Sequence, residues 1–287
     1  MSFATDGFLS PTMDSYRKSL KTVPTYQAWL DFADGLNRLG LDMLRDRDVP
    51  RHDNQRLTIA ILFIRAHKSF QSSVLLAERG LISDARVVLR SAVEGAIALN
   101  ALANDATFLN VLIEAHHYNQ RKTARVVLDD PLYKAQCSLE RVAQMEATVQ
   151  DVNAREKAVA PRKFCDPNWA DVANKHCKDL YQTLYRLLSS DGTHTTINAI
   201  HRHVGYDANQ QISELKIGPD TSSLVETLKA ACLMFIWAAD PFARVFSLSD
   251  IANRLQAQLR RFSELPQDEP ASVTIVAGFP NGGPIPK

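Results

Sequence analysis

The chain has no apolar run long enough to cross a membrane, no cysteine pair in Cys-x-x-Cys spacing, and almost no net charge. A membrane span takes about 20 consecutive apolar residues. The best candidate, LTIAILFI at 57–64, is long enough only for a buried helix segment. Without Cys-x-x-Cys spacing, Cys137, Cys165, Cys177 and Cys232 do not read as a zinc ribbon. With 33 basic against 32 acidic side chains, nothing global argues for nucleic acid or membrane as partner. The first residues, MSFATDGFLSPTMDSYRKS, lack the apolar core of a signal peptide. A cytoplasmic protein with four reduced thiols is therefore expected. There is no Gly-rich phosphate loop, no Gly-x-Ser-x-Gly elbow and no dinucleotide fingerprint.

What is present is helical patterning. Helices are expected over about 25–45, 55–79, 81–104, 107–127, 131–158, 169–189, 223–238 and 241–264, with a short one around 195–203; the one at 131–158 is far more polar and expected on the surface. An all-α fold is predicted, a single helical-bundle domain of about seven or eight helices. Its expected limits are 23–265, between a flexible segment at 1–22 and a flexible Pro/Gly-rich tail at 266–287. The helices at 55–79, 81–104 and 169–189 are the expected buried centre, because their apolar stripes are widest. Gly80 suits the end of the second helix, and Ser83 or Asp84 a cap on the third. Ser223 and Glu226 have capping-box spacing. Asp240-Pro241 should end or kink a helix. The one extended piece expected is ISELKIG, at 212–218.

Three charges interrupt the apolar helix at 81–104. Arg86, Arg90 and Glu94 are spaced four apart and share one face. Buried charge is costly unless paired and hydrogen-bonded. The stripe is therefore either a structural clamp or the wall of a polar site. In the second case Arg90 offers a guanidinium fork to a phosphate or carboxylate, with Glu94 holding it. A second concentration of polar groups runs from Tyr185 through Ser189, Ser190 and Asp191 to His194. It is either a capped turn or an anion site, and His194 titrates near neutral pH. The expected ligand-binding set is Arg90, Glu94, Ser189, Ser190 and His194. His194, Arg186 and Arg90 are the candidate catalytic residues.

No metal or cofactor is expected. Glu114 and His117 have the Glu-x-x-His spacing of di-iron bundles, but those sites need a second such motif. His201 and His203, two apart on a helix, point in different directions. His194 and His201 could share a face as a mononuclear pair. The basic clusters Arg121, Lys122, Arg125 and Arg162, Lys163 are read as solvated helix faces.

Arg90-Ser-x-x-Glu94, followed by Tyr185-x-x-Leu188-Ser189 and a turn to His194, resembles bacterial all-helical families of unknown function. Their members carry an Arg-Ser/Pro-x-x-Glu helix and a Leu-Ser/Asn segment leading to a His. The similar region is about 55–240, and it supports the fold and the choice of residues. A more distant resemblance is to HEPN domains, helical bundles that include metal-independent ribonucleases of toxin and antiphage systems. Their active members carry Arg, four to six residues, then His, and are usually dimeric. Arg186 and His194 have seven residues between them; Arg47 and His52 have four but flank Pro50. Two functions follow as expectations. One is binding of a small anionic ligand, nucleotide or protein partner through Arg90, Glu94 and His194. The other, implied by the HEPN resemblance, is RNA cleavage with His194 as general acid or base and Arg186 or Arg90 on the phosphate. A homodimer is allowed for; a membrane partner is not expected.

Overall fold

A computed structural model describes residues 3–45, 52–191 and 197–270. Among these residues the fold is all-α apart from one small hairpin. Its helices are α1 (Phe3–Asp6), α2 (Met13–Leu20), α3 (Pro24–Leu44), α4 (Asn54–Ala77), α5 (Ile82–Asn104), α6 (Phe108–Leu128), α7 (Pro131–Ala135), α8 (Leu139–Ala158), α9 (Trp169–His176), α10 (Lys178–Leu180), α11 (Arg186–Asp191), α12 (Ile197–His201), α13 (Leu224–Val245) and α14 (Ser249–Glu264). Strands β1 (Val204–Tyr206) and β2 (Ile212–Leu215) pair antiparallel, and β2 is the extended piece expected from the sequence. Contacts divide the chain into two compact units, residues 1–103 with 173–287, and residues 104–172.

The centre of the first unit is α13, which packs against α3 and α4. Phe242 of α13 stacks on Phe63 of α4, with ring centroids 4.3 Å apart, and Phe235 meets Phe70 at 4.9 Å. Gly40 of α3 makes this contact close: a Cβ there would come within 2.9 Å of both His67 and Phe235. The sequence placed 55–79, 81–104 and 169–189 at the centre; α4 is there as expected, and α13 was not foreseen there. The segment 169–189 is broken at Cys177 and carries a π-helical turn at Tyr181–Tyr185, yet Ala173, Cys177, Leu180, Leu184 and Leu188 are all buried, so it contributes to the core beside α13.

Gly80 ends α4 as expected. It sits at φ +76°, Gly80 N donates to Ala77 O, and Leu81 N reaches back to Leu76 O. Those two bonds form a Schellman motif. Helix α5 then starts at Ile82, so Ser83 and Asp84 lie inside its first turn rather than capping it. It runs alongside α13 in the same direction, tied to it through Arg86 and Asn100.

Pro241 neither ends nor kinks the chain into two helices; α13 continues through it. Proline removes the N–H that would meet the carbonyl four residues back. Here Asn100 Nδ2 donates to that carbonyl, Trp237 O, at 2.9 Å. The Ser223 capping box also does not form, because Ser223 is in the left-handed region at φ 68°. Glu269 caps α13 instead: its Oε1 accepts from Val225 N at 2.7 Å. Residues 266–269 are thus docked, and Trp29 Nε1 donates to Pro266 O. At the other end, where a flexible segment was expected, Met13, Tyr16 and Leu20 of α2 are buried. Of the expected tail, 271–287 lies outside the described residues.

The second unit is a long helical hairpin of α6 against α8. The single helix expected over 131–158 is two, because Ser138 caps α8 by accepting from Arg141 N. Arg121 is not a solvated basic residue. Its side chain is 11% exposed and grips Glu156 with both terminal nitrogens, at 2.6 and 3.1 Å. Arg162 pairs with Glu114. Each ties α6, directly or through its neighbour, to the chain that returns along it.

Candidate functional site

The stripe Arg86, Arg90, Glu94 divides between two sets of partners. Arg86 is 2% exposed. Its Nε donates to Thr227 Oγ1 at 3.0 Å, and its Nη2 to Glu226 Oε2 at 2.5 Å. Both partners belong to the first turn of α13. Burial and the nearby charge of Arg202 push the Arg86 guanidinium below its ordinary range, with Glu226 opposing. Arg86 is a clamp between helices.

Arg90 is held differently. One turn further along α5 it meets the segment 181–189, where a π-helical turn carries Tyr181 and Tyr185 with their rings stacked at 4.6 Å. The Arg90 guanidinium lies across the Tyr185 ring, 3.7 Å from its centroid. Nε donates to Ser189 Oγ at 2.8 Å, Nη1 to Glu94 Oε1 at 2.5 Å, and Nη2 to the Tyr185 hydroxyl. The Tyr185 hydroxyl in turn donates to Glu94 Oε1 at 3.1 Å. Ser189 donates to Tyr185 O at 2.7 Å, so the receiving helix is tied to itself at the same point.

The electrostatics fit this wiring. Burial, aided by the Glu94 charge and opposed by Arg90, pushes the Tyr185 phenol up to about 12. The phenol therefore stays protonated at neutral pH and can donate to Glu94 while accepting from Arg90. Arg90 carries five N–H groups. Three are engaged, and among the described residues the other two meet no acceptor. Arg90 is 17% exposed on its side chain, and Glu94 Oε2 likewise has no donor among the described residues. The group thus presents two fixed N–H donors beside a carboxylate oxygen.

Of the residues expected from sequence, the fold brings Arg90, Glu94 and Ser189 together. Arg186 is exposed and donates to Gln182 Oε1. His194 and the side chain of Ser190 lie outside the described residues. Tyr185 was missed as a site residue, although its i, i+4 spacing to Ser189 puts the two on one face. Among the described residues no group of three or more His, Cys, Asp or Glu is placed to hold a metal ion. No described helix is long and apolar enough to cross a membrane.

A family model matches residues 57–212, more than half of the chain, and it spans Arg90, Glu94, Tyr185 and Ser189. The chain belongs to the family of unknown function DUF5677. The DUF5677 match takes in nearly all of α4, α5, the whole of the second unit and the segment carrying Tyr185 and Ser189; α3 and all of α13 fall outside it. No curated protein matches the chain, and neither does a solved structure.

Proposed function

We propose that this DUF5677 protein binds a small phosphate ester of the nucleotide class over Arg90. The observation that carries the reading is the state of the guanidinium. It is fixed on three sides by Ser189, Tyr185 and Glu94, with two N–H groups unclaimed among the described residues. A planar fork held in place loses little freedom when it takes an anion. Glu94 Oε2 beside it is an acceptor suited to a sugar or phosphate hydroxyl. The π-helical turn under Tyr185 adds support, because such turns occur frequently at functional sites. His194 follows Ser189 by five residues and belongs to the same proposed site. Free cysteines favour a cytoplasmic setting for it.

The test is calorimetry with adenosine 5′-monophosphate, with adenosine and inorganic phosphate as partial ligands. The monophosphate should bind and adenosine should not. Arg90→Lys, which keeps charge but loses the fork, should weaken binding at least tenfold, while exposed Arg155→Ala leaves it unchanged. Equal binding of adenosine, or no effect of Arg90→Lys in a folded variant, overturns the reading. Incubating a short RNA with the protein in EDTA tests the other expectation. Cleavage abolished by His194→Ala would move the protein to the metal-independent ribonucleases.

A further inference from the structure

A polar cleft opens between α2, α3 and α4, and it shares no residue with the Arg90 group. Its volume is about 380 Å³, and its wall includes Arg17, Asp34, Asn37, Phe70, Val74 and Glu78. The unusual member is Glu78. It stands at the C-terminal end of α4, where the helix dipole already disfavours negative charge. Its side chain is only 3% exposed, and Arg17 Nε lies 2.8 Å from Oε2. Among the described residues no donor meets Oε1. Burial raises the Glu78 carboxyl above its ordinary range, with Arg17 opposing. Glu78 Oε1 is thus an acceptor open to the cleft, on a carboxyl whose charge burial disfavours. Arg17 offsets part of that at Oε2, and a second cation at Oε1 would offset more.

The neighbouring amides are also set for a ligand. Burial lowers the His67 imidazole and keeps it neutral, so one ring nitrogen carries a proton to give. His67 Nε2 lies 2.9 Å from Asn37 Oδ1, and Gln71 Nε2 donates to the same oxygen at 2.8 Å. With its oxygen committed, Asn37 keeps its Nδ2 donors, and no acceptor among the described residues claims them. Phe70, Val74 and Leu75 supply an apolar wall. Arg17 pairs with Glu78 and Lys21 lies 3.8 Å from Asp34, so each carboxylate keeps one oxygen toward the cleft.

We propose that this cleft binds a small organic ammonium ion with an apolar body. The ammonium sits between Glu78 Oε1 and Asp34, the body lies on Phe70, Val74 and Leu75, and an oxygen next to the amine meets Asn37 Nδ2. The probes are phenethylamine and its neutral analogue 2-phenylethanol, titrated into the full chain at pH 8 while the melting temperature is followed. Phenethylamine should raise the melting temperature saturably and 2-phenylethanol should not. Glu78→Gln should abolish the response. If Glu78→Gln does not fold, Leu75→Trp decides: Leu75 is exposed at the rim, and an indole there fills the cleft and should weaken the response at least tenfold. Equal responses to the two probes, no response to phenethylamine, or a response unchanged in the folded variant overturns the proposal.

Discussion

Two arginines one turn apart on α5 show how burial decides what a charged side chain does. Arg86 is almost fully enclosed and spends its donors on Thr227 and Glu226, whereas Arg90 reaches the surface with donors in reserve. The pairing at Arg86 is unequal, because the Glu226 side chain is 47% exposed. Removing Arg86 lets Glu226 return to water. Removing the Glu226 charge takes away a carboxylate that holds the buried Arg86 guanidinium in its charged form. Breaking a buried pair costs roughly 3–5 kcal/mol, and solvent screening at the exposed partner brings the expectation here down to about 2 kcal/mol. Glu226→Gln should thus lower the urea midpoint clearly, while Arg155→Ala, in an exposed pair with Asp151, should leave it nearly unchanged. Equal midpoints for the two variants would show that Glu226 does not balance Arg86. The sequence showed that this stripe was out of place on an apolar helix. It could not divide the stripe, because the partners at 185, 189, 226 and 227 are about 95 to 140 positions away.

The elements that sequence reading located well are those with a local cause. Gly80, at a left-handed backbone position, ended α4 where expected, and the wide apolar stripes of α4 and α5 marked helices with nearly their observed limits. The failures share a different cause: a distant side chain overrides the local signal. Glu269 caps α13 in place of Ser223, and Asn100 lets the same helix run through Pro241. The π-helical turn at 181–185 was likewise hidden, since such a turn has no composition of its own. The Asn100 bridge can be tested as a cycle. Asn100→Ala leaves the Trp237 carbonyl buried without its donor, a loss of about 1–3 kcal/mol. Pro241→Ala restores a backbone N–H able to reach that carbonyl. The double variant should therefore be more stable than the sum of the single changes implies, by about 1 kcal/mol. Additive denaturation midpoints would mean that Asn100 acts by packing alone.

At the scale of the molecule, the two units are held by different means. The unit built on α13 carries the aromatic core, while the α6–α8 hairpin buries few large side chains and relies on ion pairs along its length. That difference should appear in acid. Arg121 above all, then the Phe164 N–H, bring the Glu156 carboxyl down to about 2 from an ordinary 4.5, with burial opposing and Lys163 contributing least. A carboxylate with a depressed folded-state value stabilises the fold above its unfolded value, and that contribution disappears as pH falls through the folded one. The Glu156 contribution should be complete above about pH 4.5 and gone near pH 2. Amide exchange of α6 and α8 reads this unit by itself. At pH 6 those amides should be better protected in the wild type than in Glu156→Gln. Between pH 4.5 and pH 2 the difference should close, while that substitution leaves protection of the α13 amides unaltered. A difference that stays constant down to pH 2 would show that Glu156 supports the hairpin by shape rather than by charge.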